Sequence, residues 1–260
     1  MDLGLKGKVA LVTAASKGMG KACALGLAGE GARVAVCARN EGELKTAADE
    51  IRARTKADVL AVRADVTKAS EVTALVAQVT QTFGNPDVLI ANCGGPPRGF
   101  FDEFDDNAWH GAVEVSLLST VRLIRAVLPG MRAKKWGRIL TIQSVSVKQP
   151  LEDLLLSNAV RPGVAGMMKT LALQLGKENI LVNTLCPGRI LTDRLLGGLK
   201  ASGLSKEEYL ARQSKDIPLG RPGSVEEFAN VAVFLASERA SYVTGVAIQV
   251  DGGQIGRAHV

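Results

Sequence analysis

Two short stretches hold the side chains whose types and spacing could do chemistry. The first, Thr13-Ala14-Ala15-Ser16-Lys17-Gly18-Met19-Gly20, sits between an apolar run and a helical pattern. Glycines at 18 and 20 would let the backbone approach a diphosphate, which the free N–H groups and positive end of the following helix favour. A tight strand-to-helix turn without a ligand uses the same residues, so the signal rests on its place in the chain. The second stretch runs from Ile139 to Leu175 and reads as a strand, a polar corner at Ser144, a loop and an amphipathic helix. Ser157-Asn158-Ala159-Val160-Arg161 opens that helix. In an α/β sheet, the carboxyl end of a strand is where ligands meet reactive side chains.

The end of the second strand bears on which dinucleotide would bind. An acidic residue there would hold the ribose diol of NAD, and this chain has Ala38 followed by Arg39. Arg39 and Lys17 are placed to meet a 2′-phosphate. Either one alone reads as a surface cation. Together, with no acid at that strand end, they favour NADP(H), with NAD(H) as the second choice.

The elements that must position these residues follow from apolar periodicity. Strands are expected at Val9–Thr13, Arg33–Ala38, Val59–Arg63, Val88–Ala91, Arg138–Gln143, Leu181–Leu185 and Ala247–Val250. Helices are expected between them: Gly18–Gly29, Glu41–Arg54, a segment with Val72, Leu75, Val76, Val79 and Phe83 on one face, and a long one from about Asn107 to Arg132. Short strands alternating with helices imply right-handed crossovers and a doubly wound, Rossmann-type α/β fold. Its parallel seven-stranded sheet would be covered by helices on both faces. With no linker, repeat or low-complexity tract, residues 1–260 read as one dinucleotide-binding domain with a substrate lid over about 191–215. The lid carries Leu195, Leu196, Leu199, Leu204, Tyr209 and Leu210, with Gly197-Gly198 placed as a hinge. Its apolar face would suit a greasy carbonyl substrate, or would pack on the domain itself.

Composition narrows the classes. The 47% hydrophobic and 22% charged residues are those of a folded domain with a sizeable core. No run approaches the roughly 18 apolar residues of a membrane span, and the N-terminus lacks a signal layout. The expected setting is cytoplasmic. Cys23, Cys37, Cys93 and Cys186 form no C-x-x-C pair and read as reduced, packed thiols, with no metal site. The net charge of +6 comes from dispersed basic residues. The densest group, Arg132, Lys134, Lys135 and Arg138, reads as a solvated helix end, and nucleic acid is not expected as a partner. Nothing pairs His110 or His259 with a nucleophile.

Over essentially its whole length the chain resembles the short-chain dehydrogenase/reductase family. TAASKGMG matches the family's T-G-x-x-x-G-x-G, with Ala14 in place of the first glycine. Asp65-Val66 matches the pair that contacts adenine, and Asn92-Cys93-Gly94-Gly95 resembles the N-N-A-G loop. Cys186-Pro187-Gly188-Arg189-Ile190-Leu191-Thr192 resembles the segment over the nicotinamide, where Ile190 and Thr192 would hold the carboxamide. PLGRPGSVEEFANVAVFLAS from Pro218 and the VDGG that ends at Gly253 match the C-terminal third. The resemblance implies cofactor contacts from Thr13, Ala15, Ser16, Lys17, Gly18, Met19, Gly20, Arg39, Asp65, Val66, Asn92, Cys93, Gly94, Arg161, Pro187, Gly188, Ile190 and Thr192.

The active site departs from the family pattern of a serine, a tyrosine thirteen residues on, a lysine four further and an upstream asparagine. Ser144 is in place, but the tyrosine, lysine and asparagine positions hold Ser157, Arg161 and Ser116. Serine reaches less far than tyrosine and is far less acidic. Arginine keeps the charge but does not readily exchange a proton. Pro162, which disfavours helical geometry at Arg161, suggests a reshaped corner. Lys148, Glu152 and Asp153 on the intervening loop are alternative proton donors, or simply solvated loop residues.

Two functions fit. One is an NADP(H)-dependent oxidoreductase that interconverts a carbonyl and an alcohol, nearest by resemblance to 3-oxoacyl-thioester reductases, with Ser144, Ser157, Arg161 and Ser116 as its catalytic set. The other is a catalytically silent NADP-binding sensor or partner subunit. The retained nicotinamide segment favours the enzyme. The resemblance also implies a homodimer or homotetramer, paired through the long helix and the helix from about Pro162 to Leu175.

Overall fold

A computed structural model describes residues 1–256. His259 lies outside the described residues. The strands are β1 (Val9–Thr13), β2 (Arg33–Ala38), β3 (Val59–Arg63), β4 (Val88–Ala91), β5 (Gly137–Ile142), β6 (Ile180–Pro187) and β7 (Ala247–Val250). All pair in parallel in the order β3-β2-β1-β4-β5-β6-β7. The chain therefore winds outward from β1 to β3, crosses back to β4, and winds outward the other way. That reversal opens a crevice above the carboxyl ends of β1 and β4.

The strands are rich in Val, Ile, Leu and Ala because both faces of the sheet are covered. Alternate side chains of one strand serve opposite cores. Ala10 and Val12 of β1 pack with α1 (Gly18–Gly29), α2 (Glu41–Thr55) and α10 (Val225–Ala236) through Leu27, Leu44, Ile51 and Phe228. Leu11 faces the other way, toward α3 (Ala69–Phe83), α5 (Ser119–Lys134) and α6 (Leu155–Leu175) through Leu75, Leu123, Val127, Val164 and Met168. Among the described residues no helix is long and apolar enough to cross a membrane.

The long helix expected from Asn107 to Arg132 is present, running without a gap from α4 (Asp106–Val113) into α5 through a π-helical turn at Glu114–Leu118. That turn holds Ser116. Three expectations need correction. Arg138 is no part of a solvated helix end. It is 1% exposed in β5, stacked on Trp136 with 4.2 Å from its guanidinium carbon to the ring centre, and donates to the carbonyls of Gly137, Asn179 and Ser237. Burial pushes its pKa down to about 10. Pro162 does not reshape the corner, because α6 runs through it. Arg161 lies within the helix, and its side chain bonds the Ile142 carbonyl and Gln143 Oε1.

The lid forms three short helices, α7 (Asp193–Leu196), α8 (Leu199–Ser202) and α9 (Lys206–Ser214). Tyr209 is buried and its hydroxyl donates to the Leu195 carbonyl at 2.8 Å, so the lid packs on itself. Gly198 makes room for that ring: an added Cβ would lie 2.7 Å from the Tyr209 oxygen. Its φ of −81° is an ordinary one, and close packing rather than a hinge explains this glycine.

Candidate active site

The first turn is braced from below. Thr13 Oγ1 donates to the Asn92 carbonyl at 2.6 Å and accepts from the Asn92 N–H at 3.0 Å, clamping the ends of β1 and β4 together. Asn92 Nδ2 donates to the Ala14 carbonyl at 3.3 Å, and the Ala15 N–H donates to the Cys37 carbonyl. Thr13 and Ala15 are fully buried and stiffen the turn from within. Gly18 adopts φ +58°, and a Cβ on Gly20 would strike the Ala14 carbonyl and lie 2.9 Å from Asn92 Nδ2. α1 starts at Gly18, and Lys17 before it gives no side-chain cap, with no acid in the first turn. Its leading N–H groups are left for an anion, so the site fits a diphosphate.

Beyond this turn lies a cavity lined by Ser16, Lys17, Arg39, Asp65, Val66 and Gly94, among others. Arg39 is exposed at its rim. Burial pushes the Asp65 carboxyl up, but hydrogen bonds from the Thr67 N–H and hydroxyl, together with the Arg39 and Lys68 charges, outweigh it and hold the group below its usual range. Glu43 of α2, which the sequence did not single out, lies in the same cavity. It sits 3.6 Å from Lys17 Nζ and accepts from Ser16 Oγ at 3.4 Å. Part of the Lys17 charge is thus already matched, which leaves Arg39 as the less encumbered cation.

A second cavity adjoins the first at Cys93 and Gly95. It gathers Met19, Ser144, Ser157, Arg161, Pro187, Gly188, Ile190 and Thr192 from four separate parts of the chain. Ser144, at the end of β5, accepts from the Ser146 N–H at 3.1 Å, which leaves its own proton free to point outward. Ser157 and Arg161 are each 5% exposed, on the inward face of α6. Ser157 Oγ shares a hydrogen bond of 2.9 Å with Ser146 Oγ. Arg161 Nη1 donates to the Ile142 carbonyl at 3.3 Å and to Gln143 Oε1 at 3.2 Å. Thr192 caps α7 and donates to the Ile190 carbonyl at 3.3 Å.

Ser116 is brought near but not in. It is fully buried in the π-helical turn, outside the cavity lining, and its Oγ has no partner. The other buried orphan among the described residues is Nε2 of Gln143. Of the loop donors, Glu152 and Asp153 line the cavity, Asp153 already paired with Arg98 at 2.7 Å. Lys148 is not in the lining. Cys93 lines both cavities. Burial pushes its pKa up, and Arg161 and Arg194 pull against that. Sequence reasoning missed Gln143, Ser146 and Arg194. Each is polar and next to a recognised position, but only the folded corner shows what they touch.

Residues 13–254 match the family model described as enoyl-(acyl carrier protein) reductase. The 3-oxoacyl-[acyl-carrier-protein] reductase of Escherichia coli K12 is 33% identical over 253 residues, 96% of this chain and 98% of that protein. L-sorbose reductase from Gluconobacter frateurii, solved with NADPH and L-sorbose, superimposes with TM-score 0.95 at 37% identity, over 98% of this chain and 99% of that one. An NADPH-bound short-chain oxidoreductase from Pseudomonas aeruginosa, described as containing an atypical catalytic center, gives TM-score 0.91 at 30% identity, over 96% and 98%. The chain belongs to the short-chain dehydrogenase/reductase family.

Proposed function

We propose that this protein is an NADP(H)-dependent oxidoreductase that interconverts a carbonyl and an alcohol in a rebuilt active site. One observation carries the reading. The two side chains that replace the family's tyrosine and lysine are not stranded: Ser157 is bonded to Ser146 and Arg161 to Gln143 and Ile142. A decayed site would more readily leave them unpaired or turned to solvent. The NADPH complexes of L-sorbose reductase and of the Pseudomonas oxidoreductase support the choice of cofactor. The resemblance to 3-oxoacyl reductases makes such thioesters part of any substrate panel.

The cofactor, when bound, supplies or accepts the hydride. The α1 N-terminus with Gly18 and Gly20 would hold its diphosphate, Arg39 with Lys17 its 2′-phosphate, and Ile190 with Thr192 its carboxamide. In the reduction, the Ser144 hydroxyl donates a hydrogen bond to the substrate carbonyl oxygen. The Arg161 cation, set in a low-dielectric corner, stabilises the negative charge that grows on that oxygen. The proton comes from solvent and is relayed through Ser144, whose Oγ takes one proton from water at the cleft mouth as it passes its own to the alkoxide. Arg161 holds its proton throughout. Ser157, tied to Ser146, shapes the corner and reaches less far into the cleft than a tyrosine would.

The test is NADPH oxidation with 3-oxoacyl thioesters, sugars and diketones. Wild type is compared with a Ser157→Tyr, Arg161→Lys double variant, with NADPH binding measured for both. Turnover by wild type, lost in Ser144→Ala by about 100-fold or more, is the expected result. A wild type that binds NADPH yet stays silent while the double variant works would overturn the reading in favour of a silent sensor.

A further inference from the structure

The mouth of the catalytic cavity is unevenly charged. Arg98, Arg161, Arg189 and Arg194 line it against two carboxylates, Glu152 and Asp153. Arg98 is taken by Asp153, while Arg189 donates to the Gln213 carbonyl and lies 3.9 Å from Asp216. Among the described residues, Arg161 and Arg194 bond only neutral oxygens. Arg194 projects from α7, packs over Gly95 and donates to the Pro96 carbonyl at 3.0 Å on the opposite wall. That wall is itself fastened: Gly99 bridges to Leu154, and Arg98 to Asp153. Burial, then the like charges of Arg161 and Arg98, push the Arg194 pKa down. Like charges converging on one cleft raise each other's energy, and an anion bound between them relieves it.

We propose that the cleft takes a small carbonyl compound that bears a carboxylate, and that Arg194 binds the carboxylate while Ser144 and Arg161 face the carbonyl. This rests on the oxidoreductase reading above. A guanidinium presents a planar fork that matches two carboxylate oxygens, and Arg194 gives up only a neutral carbonyl to do so. The cofactor diphosphate is the other conceivable anion. However, Arg194 shares its cavity with Ser144, Ser157 and Arg161, whereas Ser16 and Lys17 line the other cavity. The cavity, about 320 Å³, would also admit the nicotinamide end of the cofactor beside Ile190 and Thr192, and the space left beside it fits a compact metabolite better than a long acyl chain.

The experiment compares small oxo acids with their methyl esters as substrates, and measures NADPH binding separately. Arg194→Gln is expected to raise KM for the acids by about 10- to 100-fold, leaving KM for the esters and the Kd for NADPH unchanged. Arg194→Lys should recover part of the loss. An equal loss on acid and ester, or weaker NADPH binding with substrate KM unmoved, overturns the proposal. Hexanoate binding to the NADP⁺ complex, followed by calorimetry, separates the two readings. Binding that Arg194→Gln abolishes supports the carboxylate site even if no substrate on the panel is reduced, in which case the oxidoreductase reading alone fails. No hexanoate binding together with no acid reduced sinks the carboxylate site.

Discussion

The two cavities along the carboxyl edge of the sheet obey different rules. The one above β1 to β3 is defined by backbone: a glycine turn, an uncapped helix end, and a clamp between Thr13 and Asn92. The one above β5 and β6 is defined by side chains, and on the reading proposed above Ser116, Ser157 and Arg161 stand there where the family pattern has asparagine, tyrosine and lysine. Backbone geometry tolerates few solutions, because a Cβ at Gly20 has nowhere to go. A side-chain constellation can be rebuilt wherever each new group finds a partner, and Ser157 and Arg161 both have one. A protein can therefore hold its cofactor side nearly constant while the groups that meet the substrate change.

The sharpest way to break that comparison is at Gly20. In Gly20→Ala the new methyl meets backbone, the Ala14 carbonyl, and the Asn92 amide that fixes it. Neither is the loose end of a flexible side chain, so the turn itself must shift. NADPH binding is expected to weaken by about 100-fold or more, read by fluorescence titration, while the sheet still folds by circular dichroism. Tight NADPH binding in this variant would mean that the backbone rule for the first cavity is wrong.

How much of each region was legible in the sequence follows the same division. The strands and the glycine turn were readable because burial on both faces imposes apolar runs and a tight turn imposes glycine. Ser144, Ser157 and Arg161 were readable from their spacing. Their partners were not: Gln143 and Ser146 look like ordinary polar residues until β5 and α6 come together. Arg138 misled for a related reason. Lying close to three other cations in sequence, it read as solvated, yet β5 carries it inward to Trp136 and to carbonyls of loops far along the chain. The long helix was readable too, but its π-helical turn at Glu114–Leu118 carried no proline or glycine to announce it.

The rebuilt corner can be probed by a double-mutant cycle. Removing either hydroxyl of the Ser146–Ser157 pair leaves the other buried without a partner, at a cost of about 1–3 kcal/mol in urea unfolding. Removing both, as Ser146→Ala with Ser157→Ala, should cost less than the sum of the two single changes, since no orphan remains. Additive losses would show that the two oxygens act independently and that the corner is less organised than its 2.9 Å contact implies.

The smallest expected effect concerns a blemish in the otherwise regular first cavity. Ala14 stands where the family pattern has glycine, and it adopts φ +47°, the left-handed region that disfavours a Cβ. Its carbonyl is held there from two directions, by Asn92 Nδ2 and by the close backbone of Gly20. The turn therefore cannot relax to suit alanine and stores the strain. Ala14→Gly should remove it at the cost of some extra freedom in the unfolded chain, for a net gain of about 0.5–1 kcal/mol. In a domain of this size that is a rise in Tm of about 1–4 °C. The substitution touches neither Ser144 nor Arg161, so kcat on whichever substrate the panel identifies should stay put. A fall in Tm would show that alanine is at ease in this turn, and that the first cavity has been rebuilt as thoroughly as the second.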